Sequence, residues 1–205
     1  MVAPSPAADR AAMTANIARF GRVEAADEDL KAASVALCVV LNQDVPSLLI
    51  TRRAASLRNH AGQWALPGGR RDRGESTEDA ARRELAEETG VEIAADDVLG
   101  VLDDYVTRSG YVMTPVVVWG GPASPAMSGS AAEVAQIHVI PLADFDVAPR
   151  LLRIPESEFP VIQLPLLGGY LHAPTAAIIY QFCQVALHAR STRVSHFEQP
   201  LFAWK

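Results

Sequence analysis

Carboxylates at helical spacing dominate one stretch of the sequence, Gly69–Val91, which reads GRRDRGESTEDAARRELAEETGV. Glu84, Glu87 and Glu88 are three and four positions apart, and residues at that spacing share one face of an α-helix. Oxygen ligands gathered in this way suit Mg²⁺ or Mn²⁺, which also bind substrate phosphates. The alternative is an acidic helix face that is simply solvated, and the spacing of the three glutamates alone leaves both interpretations open.

The residues around the three glutamates favour the metal site. Arg83 lies beside them and can form an ion pair with Glu75, which would tie the preceding loop to the helix. The pair Gly68-Gly69 permits a tight backbone turn, so that a backbone carbonyl can face the metal. We therefore expect a divalent-metal site that acts on a phosphate-bearing substrate.

The helix that carries these side chains has recognisable ends. Ser76 is a good N-cap, and Asp79 three residues later gives an arrangement like a capping box. Gly90 is typical of the residue that stops a helix. Ala81 and Leu85 supply an apolar packing face, so this helix should lie against a sheet or a second helix.

Strand and helix patterns are mixed along the rest of the chain. Met13, Ile17 and Phe20 recur at helical spacing and predict an N-terminal helix that ends at Gly21. The segments predicted as strands are 34–42, 46–52, 98–106, 111–119, 133–140 and a pair within 159–172. Segment 174–189 predicts a largely buried helix, and segment 146–158 gives no clear pattern. Together these patterns predict one α/β or α+β domain.

The composition limits the class of partner. The chain has 205 residues and a formal net charge of −6, which argues against a dedicated nucleic-acid or anionic-membrane surface. Cys38 and Cys183 lie inside apolar runs, so we expect buried thiols, and no Cys or His spacing indicates zinc. No signal peptide and no apolar run long enough to span a bilayer is evident, and we expect a cytoplasmic protein.

The complete spacing of the central stretch resembles the Nudix box. It runs Gly69, five residues, Glu75, seven residues, then Arg-Glu-Leu-x-Glu-Glu-x-Gly-Val, and it matches at every specified position. The resemblance implies a Nudix-fold α/β/α sandwich with a mixed sheet in a single domain, here with an extra N-terminal helix and a C-terminal helix. It also implies metal-dependent hydrolysis of a nucleoside diphosphate linked to another group.

The resemblance further implies roles for individual residues. Glu84, Glu87 and Glu88 would bind Mg²⁺ or Mn²⁺, with the Gly69 carbonyl as a further ligand, and Glu75 and Arg83 would support them. The base would be one of the box glutamates or a glutamate from another loop. Glu133, between a flexible loop and a strand, is the candidate for that outside glutamate, and an ordinary exposed residue is the equally open alternative.

A second motif precedes the box. It comprises Leu49-Ile50-Thr51-Arg52-Arg53-Ala54, Arg58, Gly62 and Leu66-Pro67-Gly68-Gly69, and it resembles the signature of the coenzyme A diphosphatases of the Nudix family, with departures at Ile50 and Leu66. This resemblance implies cleavage of coenzyme A or acyl-CoA into 3′,5′-ADP and (acyl-)4′-phosphopantetheine. The predicted substrate-binding residues are Arg52, Arg53, Arg58, His60 and Gly62, which place positive donors beside the metal site. Ordinary surface arginines are the alternative.

Two other functions remain open. A different Nudix hydrolase would act on ADP-ribose, another dinucleotide or a nucleoside triphosphate. A non-catalytic, ligand-sensing Nudix domain is disfavoured because this chain keeps all the box glutamates. In every case the partner is a small nucleotide-diphosphate molecule, with no nucleic acid and no membrane.

The predicted domain layout has three parts: 1–30 as an N-terminal helical extension, 31–190 as the Nudix domain and 191–205 as a C-terminal tail. The aromatic residues of the tail should dock on the body or on a partner, and together with the N-terminal helix they favour a homodimer. Tyr105, Ser109 and Tyr111 border a turn that could line the pocket.

Overall fold

The computed structural model describes residues 9–25, 29–55, 62–124, 127–129 and 132–204. The strands of these residues are β1 (Lys31–Asn42), β2 (Val45–Arg53), β3 (Trp64–Ala65), β4 (Gly68–Arg70), β5 (Val98–Val101), β6 (Tyr105–Val106), β7 (Tyr111–Pro122), β8 (Val134–Pro141), β9 (Arg150–Ile154), β10 (Ser157–Leu166) and β11 (Gly169–His172). The α-helices are α1 (Arg10–Arg19), α2 (Thr77–Thr89), α3 (Leu142–Phe145) and α4 (Thr175–Phe182). None of the described helices is long and apolar enough to cross a membrane.

Strand β1 is the centre of the main sheet. It runs parallel to β7 and antiparallel to β2, so the sheet is mixed. Strand β4 pairs with the first half of β1, with Gly68 opposite Val35, whereas β2 pairs with the second half, with Leu48 opposite Val39. Because β7 occupies the other edge, β2 and β4 share one edge of β1, and they diverge between those two positions.

Helices cover both faces of the main sheet. On one face, Leu85 of α2 packs in a cluster with Cys38 and Val40 of β1. On the other face, α1 and α4 pack in a second cluster with Leu37 and Val39. Successive side chains of a strand point to opposite faces, so the continuous apolar run of β1 supplies both clusters. The predicted α/β/α sandwich with N-terminal and C-terminal helices is confirmed.

The ends of α2 are those predicted from the sequence. The side chain of Ser76 accepts a hydrogen bond from the backbone N–H of Asp79 at 3.0 Å. At the other end, Gly90 adopts a left-handed conformation with φ 72°, which a residue without a Cβ adopts readily. Local capping thus sets the length of the helix that carries the box glutamates.

Two predicted elements differ in the structure. The strand predicted over 98–106 is broken between β5 and β6, where Asp103 and Asp104 accept hydrogen bonds from the backbone N–H groups of Val23 and Ala25 at 2.8 and 2.9 Å. These bonds tie the chain to the segment after α1 instead of continuing the sheet. The helix predicted over 174–189 is α-helical only to the end of α4, and the π-helical turn Cys183–Leu187 continues it.

The three strands β9, β10 and β11 form a separate antiparallel sheet, and the C-terminal tail docks beside it. The backbone N–H of Glu198 donates to the carbonyl of Pro160 at 2.9 Å, and the indole Nε1 of Trp204 donates to the carbonyl of Gln199 at 2.9 Å. Arg108, in the turn before β7, pairs with the Glu198 carboxylate. Within one chain, therefore, the tail lies on the body.

Candidate active site

Arg83 joins the parts of the box. Its Nε and Nη2 donate to the two carboxylate oxygens of Glu75 at 2.8 and 3.0 Å, and its Nη1 donates to Glu84 at 2.7 Å. Nη2 also donates to the backbone carbonyl of Arg70 at 3.1 Å. The expected ion pair between Arg83 and Glu75 is therefore present, and it fastens the loop before α2 to the helix.

Gly68 and Gly69 let β4 approach two other elements closely. A Cβ at Gly68 would overlap the carbonyl oxygen of Ser34 in β1, and a Cβ at Gly69 would overlap the carboxylate of Glu84. Both glycines lie within a strand, so they serve close approach and not the tight turn expected from the sequence. Glu84 therefore rests against the backbone of Gly69, which lines the cleft described below.

The three box glutamates differ in exposure. The side chain of Glu87 is 59% exposed and that of Glu84 is 14% exposed, whereas Glu88 as a residue is only 4% exposed. Burial raises the pKa of Glu88 to about 7 and the negative charges of Glu84 and Glu133 add to the effect, although the Arg53 charge and the Gly68 N–H oppose it. Burial also raises the pKa of Glu84. A nearby cation would stabilise the ionised form of both carboxylates.

The pKa of Glu75 is shifted in the opposite direction from those of Glu84 and Glu88. Its hydrogen bonds from Arg83, together with one from the backbone N–H of Asp72, lower its pKa to about 2. Glu75 is therefore ionised at neutral pH and fully engaged in holding Arg83. This geometry suits the supporting role expected from the sequence.

Glu133 approaches the box from a distant part of the chain. Its charge raises the pKa of both Glu84 and Glu88, although its own side chain is exposed. Its backbone carbonyl accepts a hydrogen bond from the N–H of Ala54 at 2.8 Å, which holds the start of β8 against the end of β2. The outside glutamate selected from the sequence thus lies close enough to Glu84 and Glu88 for its charge to affect both of them.

The carboxylates of Glu84, Glu87 and Glu88 are oxygen donors of the kind that bind a hard divalent cation. Arg83 contacts two of them, Glu84 and Glu87. Among the described residues, no three His, Cys, Asp or Glu side chains are already gathered to hold a metal ion. Arg83 is bonded to Glu84, and its Nη1 lies 3.5 Å from Glu87. Arg83 bonds only one oxygen of the Glu84 carboxylate, so the other oxygen is available to a cation while Arg83 holds the side chain. The buried, only partly neutralised Glu88 carboxylate fits such a cation.

A cleft of about 950 Å³ opens beside Gly68 and Gly69. Its walls come from β1, β3, β4, the turn before β7, β11 and the C-terminal tail. Its larger apolar and aromatic lining residues are Val35, Trp64, Leu66, Met113, Leu171 and Phe202. This volume is near the upper end of the roughly 300–1,000 Å³ typical of small-molecule sites. The cleft therefore has room for a dinucleotide-sized ligand next to the box.

The two adjacent arginines of β2 differ in position, because Arg53 lines the cleft and Arg52 does not. Arg53 lines the cleft near Glu88, and its buried Nε has no hydrogen-bond partner among the described residues. Arg52 instead donates from Nε to the carbonyl of Gly62 at 3.2 Å, with its guanidinium 5.6 Å from the centroid of the Trp64 ring. Both partners of Arg52 line the cleft, but the Arg52 side chain itself is not part of the cleft lining.

The remaining predicted substrate-binding residues divide between two groups. Gly62 lines the cleft. Arg58 and His60 lie outside the described residues. Of the turn residues considered from the sequence, Ser109 and Tyr111 line the cleft, whereas Tyr105 is buried and donates its hydroxyl to the carbonyl of Phe197 at 2.8 Å.

Sequence reasoning missed two basic residues of the cleft and one aromatic residue. Arg70 and Lys31 line it beside Tyr111, and Phe202 contributes from the tail. Arg70 directly follows the glycine pair, and that adjacency is a signal that could have found it. Lys31 and Phe202 carry no comparable signal, since only the pairing of strands and the docking of the tail bring them to the cleft.

Comparison with known proteins gives a family for the fold. Residues 31–163 match the model of the NUDIX domain. A protein from Cronobacter sakazakii named Uncharacterized Nudix hydrolase NudL is 43% identical over 109 residues, which cover 53% of this chain and 56% of that protein. A protein of the same name from Photorhabdus laumondii subsp. laumondii is 40% identical over 111 residues, which cover 53% of this chain and 58% of that protein.

The fold is also similar to a solved structure, that of a Nudix hydrolase from M. Smegmatis named RenU. The two chains superpose with a TM-score of 0.48 and are 19% identical, and the match covers 74% of this chain and 81% of RenU. The chain spans about half the length of the curated relatives it matches.

Proposed function

The chain belongs to the Nudix family, and we propose that it is a metal-dependent diphosphohydrolase. The observation that supports this most is the position of Glu84 and Glu88. Glu84 touches Gly69 and Glu88 interacts with the Gly68 N–H, so both carboxylates contact the glycine pair that lines a cleft large enough for a dinucleotide. The bond broken is the P–O–P bridge of a nucleoside diphosphate derivative.

The cation site is proposed to consist of the carboxylates of Glu84, Glu87 and Glu88 with the carbonyl of Gly69 as a further ligand. Mg²⁺ or Mn²⁺ held there would neutralise the diphosphate and lower the pKa of a coordinated water. Arg83 would keep Glu84 in place through the contacts it makes with Glu75 and the Arg70 carbonyl. Removing any of these carboxylates should therefore affect turnover far more than folding.

The chain's own groups would bind the diphosphate and move a proton. The buried, unpartnered Nε of Arg53 would donate to a diphosphate oxygen. Glu133 or Glu88 would accept a proton from water while the water oxygen bonds to one phosphorus and the bridging P–O bond breaks. Glu88 is buried at the glycine pair, and the exposed Glu133 is close enough for the two charges to interact, so both are candidates for the base.

Coenzyme A or an acyl derivative is the proposed substrate, with 3′,5′-ADP and (acyl-)4′-phosphopantetheine as products. The motif that precedes the box supports this choice. The cleft also combines a charged end with an apolar wall that includes Trp64, Leu66 and Phe202, as a nucleotide joined to a long arm requires. ADP-ribose, another dinucleotide or a nucleoside triphosphate is the second candidate class, since each presents a diphosphate to the same end.

The test is a substrate panel on the purified full chain with Mg²⁺ or Mn²⁺, and with EDTA as the control. Coenzyme A, acyl-CoA, ADP-ribose, NADH and nucleoside triphosphates are compared by kcat/KM, and the products are identified by mass. We expect metal-dependent cleavage of coenzyme A to be the fastest. Strong turnover of another compound without cleavage of coenzyme A would reject the substrate, and tight binding with no turnover of any compound would favour a ligand-sensing domain.

A further inference from the structure

Two basic side chains line the cleft on the side of the glycine pair away from Arg53. They are Lys31, at the start of β1, and Arg70, at the end of β4. Neither forms an ion pair within the part of the chain that the structure describes, whereas Arg83, which does not line the cleft, is paired with three glutamates. The diphosphate proposed above needs Arg53 and the box, so it does not account for these two charges.

Both cations are arranged around one tyrosine. The Tyr111 hydroxyl accepts hydrogen bonds from Arg70 Nε at 3.0 Å and from Arg70 Nη2, which leaves Nη1 free to donate to a ligand. The Lys31 Nζ lies 5.6 Å and the Arg70 Cζ lies 5.4 Å from the centroid of the Tyr111 ring. Cation–π attraction therefore helps to hold two positive charges near each other without an acidic residue.

The backbone around these side chains is held in place. Arg83 donates to the Arg70 carbonyl at 3.1 Å, so the position of Arg70 is coupled to the box. The backbone N–H of Lys31 donates to the Gly110 carbonyl at 3.0 Å. In the same turn, Thr107 lies 3.1 Å from the hydroxyl of Ser109, and Ser109 itself lines the cleft. Lys31 and Arg70 thus offer two positive charges, and Ser109 offers a neutral hydroxyl donor, on backbone segments that hydrogen bonds hold in place.

The pairing of β4 with β1 sets the order of these groups along the cleft. Gly68 lies opposite Val35 and Arg70 lies opposite Ala33, and Lys31 is two residues farther along β1. Since a strand rises about 3.3 Å per residue, the backbone of Arg70 is about 7 Å from that of Gly68. A ligand whose diphosphate lies at the glycine pair can therefore direct its neighbouring ribose towards Lys31 and Arg70.

We propose that Lys31, Arg70, Tyr111 and Ser109 form a second anion site, which binds a phosphate monoester on the ribose of the substrate. This phosphate is distinct from the diphosphate that is cleaved. The inference rests on the proposed function, because it requires a diphosphate at the box. It separates the candidate substrates, since coenzyme A carries a ribose 3′-phosphate and ADP-ribose and NADH carry none.

The first test measures binding without turnover. The metal-free 205-residue chain is titrated by calorimetry with 3′,5′-ADP and with its isomer 5′-ADP, which carries both phosphates on the 5′ side. Lys31→Met and Arg70→Met should each weaken 3′,5′-ADP binding about five- to tenfold, as expected for losing one charged hydrogen bond at a partly exposed site. The loss for 5′-ADP should be clearly smaller.

The matched control is Arg153→Met, which removes one positive charge from an exposed position of β9 outside the cleft. It should bind both isomers like the wild type. Equal losses for the two isomers in Lys31→Met and Arg70→Met would reject the ribose phosphate and favour a terminal phosphate of a 5′ chain. No loss for either isomer would reject the anion site altogether. Thermal unfolding of each variant verifies that it is folded.

The second test uses activity and separates this inference from the proposed function. Wild type and Arg70→Met are compared on coenzyme A and dephospho-coenzyme A. The wild type should favour coenzyme A, and Arg70→Met should lose most of that preference through a higher KM for coenzyme A. An unchanged preference in the variant would overturn the second site alone. Failure of the wild type to cleave either compound would overturn the proposed substrate, and the binding test would still decide the anion site.

Discussion

The carboxylate cluster and the cleft beside it are built in different ways. The cluster comes from one continuous stretch, Gly69–Val91, and Arg83 reaches Glu75 and Glu84 within that stretch. The cleft collects Lys31, Phe202 and other residues from β1, from the turn before β7, from β11 and from the tail. The carboxylates of the site therefore come from one short segment. The cleft that would select a substrate is instead built from residues that are far apart in the sequence.

The two regions also differ in how their charges are satisfied. Glu84 and Glu88 are mostly buried, and Glu84 is bound by Arg83, so that changing one member leaves another charge poorly compensated. The basic residues Arg53, Lys31 and Arg70 line an open cleft. Substitution of one of these basic residues should therefore weaken substrate binding moderately and should not abolish it. Substitutions in the cluster should thus act mainly on turnover, and substitutions in the cleft mainly on KM.

The largest effect is expected from Glu88→Gln in the cluster. The amide has the size of the carboxylate but no charge for a cation, and turnover should fall at least about 100-fold, since losing a group that merely orients a metal ligand already costs roughly 10–100-fold. Turnover with Mg²⁺ is measured against Glu92→Gln, an exposed position just after α2. Wild-type turnover in Glu88→Gln would remove Glu88 from the proposed metal site.

The same variant should not lose stability when metal is absent. The pKa of Glu88 in the folded chain, about 7, is above its ordinary value, so this carboxyl lowers the stability of the wild type as the pH rises from the ordinary value through 7. The amide has no such ionisation. Thermal unfolding in EDTA at pH 8 should therefore give a midpoint for Glu88→Gln at or above that of the wild type. A marked fall in the midpoint would mean that the carboxylate stabilises the fold.

An intermediate effect is expected from Arg53→Met, with Arg52→Met as its neighbour for comparison. Arg53 lines the cleft with an unpartnered Nε, so its loss should raise KM about tenfold, as for a charged hydrogen bond to substrate. Arg52 is exposed, lies against the Trp64 ring and does not line the cleft, so its loss should change KM by less than about threefold, as for an exposed charge. Steady-state kinetics on the preferred substrate gives both values. Equal effects of the two changes would contradict the proposal that Arg53, and not Arg52, binds the substrate.

The smallest effect is expected where the tail meets the body. Burial alone would raise the pKa of Glu198, but hydrogen bonds from Arg108, the Gln199 N–H and Ser157 outweigh it and leave that pKa below its ordinary range. The resulting stabilisation is present above the ordinary carboxyl pKa and is lost as the pH falls through the lowered one. Because the Arg108 side chain is half exposed, solvent screens this ion pair, and we expect its contribution to the free energy of unfolding at neutral pH to be small.

Urea unfolding of the wild type and Glu198→Gln measures this contribution. The wild type should be the more stable protein at pH 7, and the difference should shrink towards pH 3. The substitution affects the tail wall of the cleft and leaves the box intact, so KM should change more than kcat. A difference in stability that is the same at both pH values would show that ionisation of Glu198 is not its source.

The sequence by itself determined the helix and the donors of the cluster. Ser76, Asp79 and Gly90 set the ends of α2 through contacts between near neighbours, and the spacing of the glutamates placed them on one face. The apolar run of β1 likewise predicted a strand that is buried on both sides. These features depend on residues a few positions apart, whose relative positions follow from helix or strand geometry alone.

Only the tertiary structure decided what surrounds the cluster. It placed Glu133 beside Glu84 and Glu88, it separated Arg53 from Arg52, and it collected Lys31 and Phe202 at the cleft. It also showed that Gly69 is a glycine because a carboxylate occupies the space of its side chain. Such contacts join residues far apart in the chain, and they depend on strand pairing, register and tail docking, which no short-range pattern specifies.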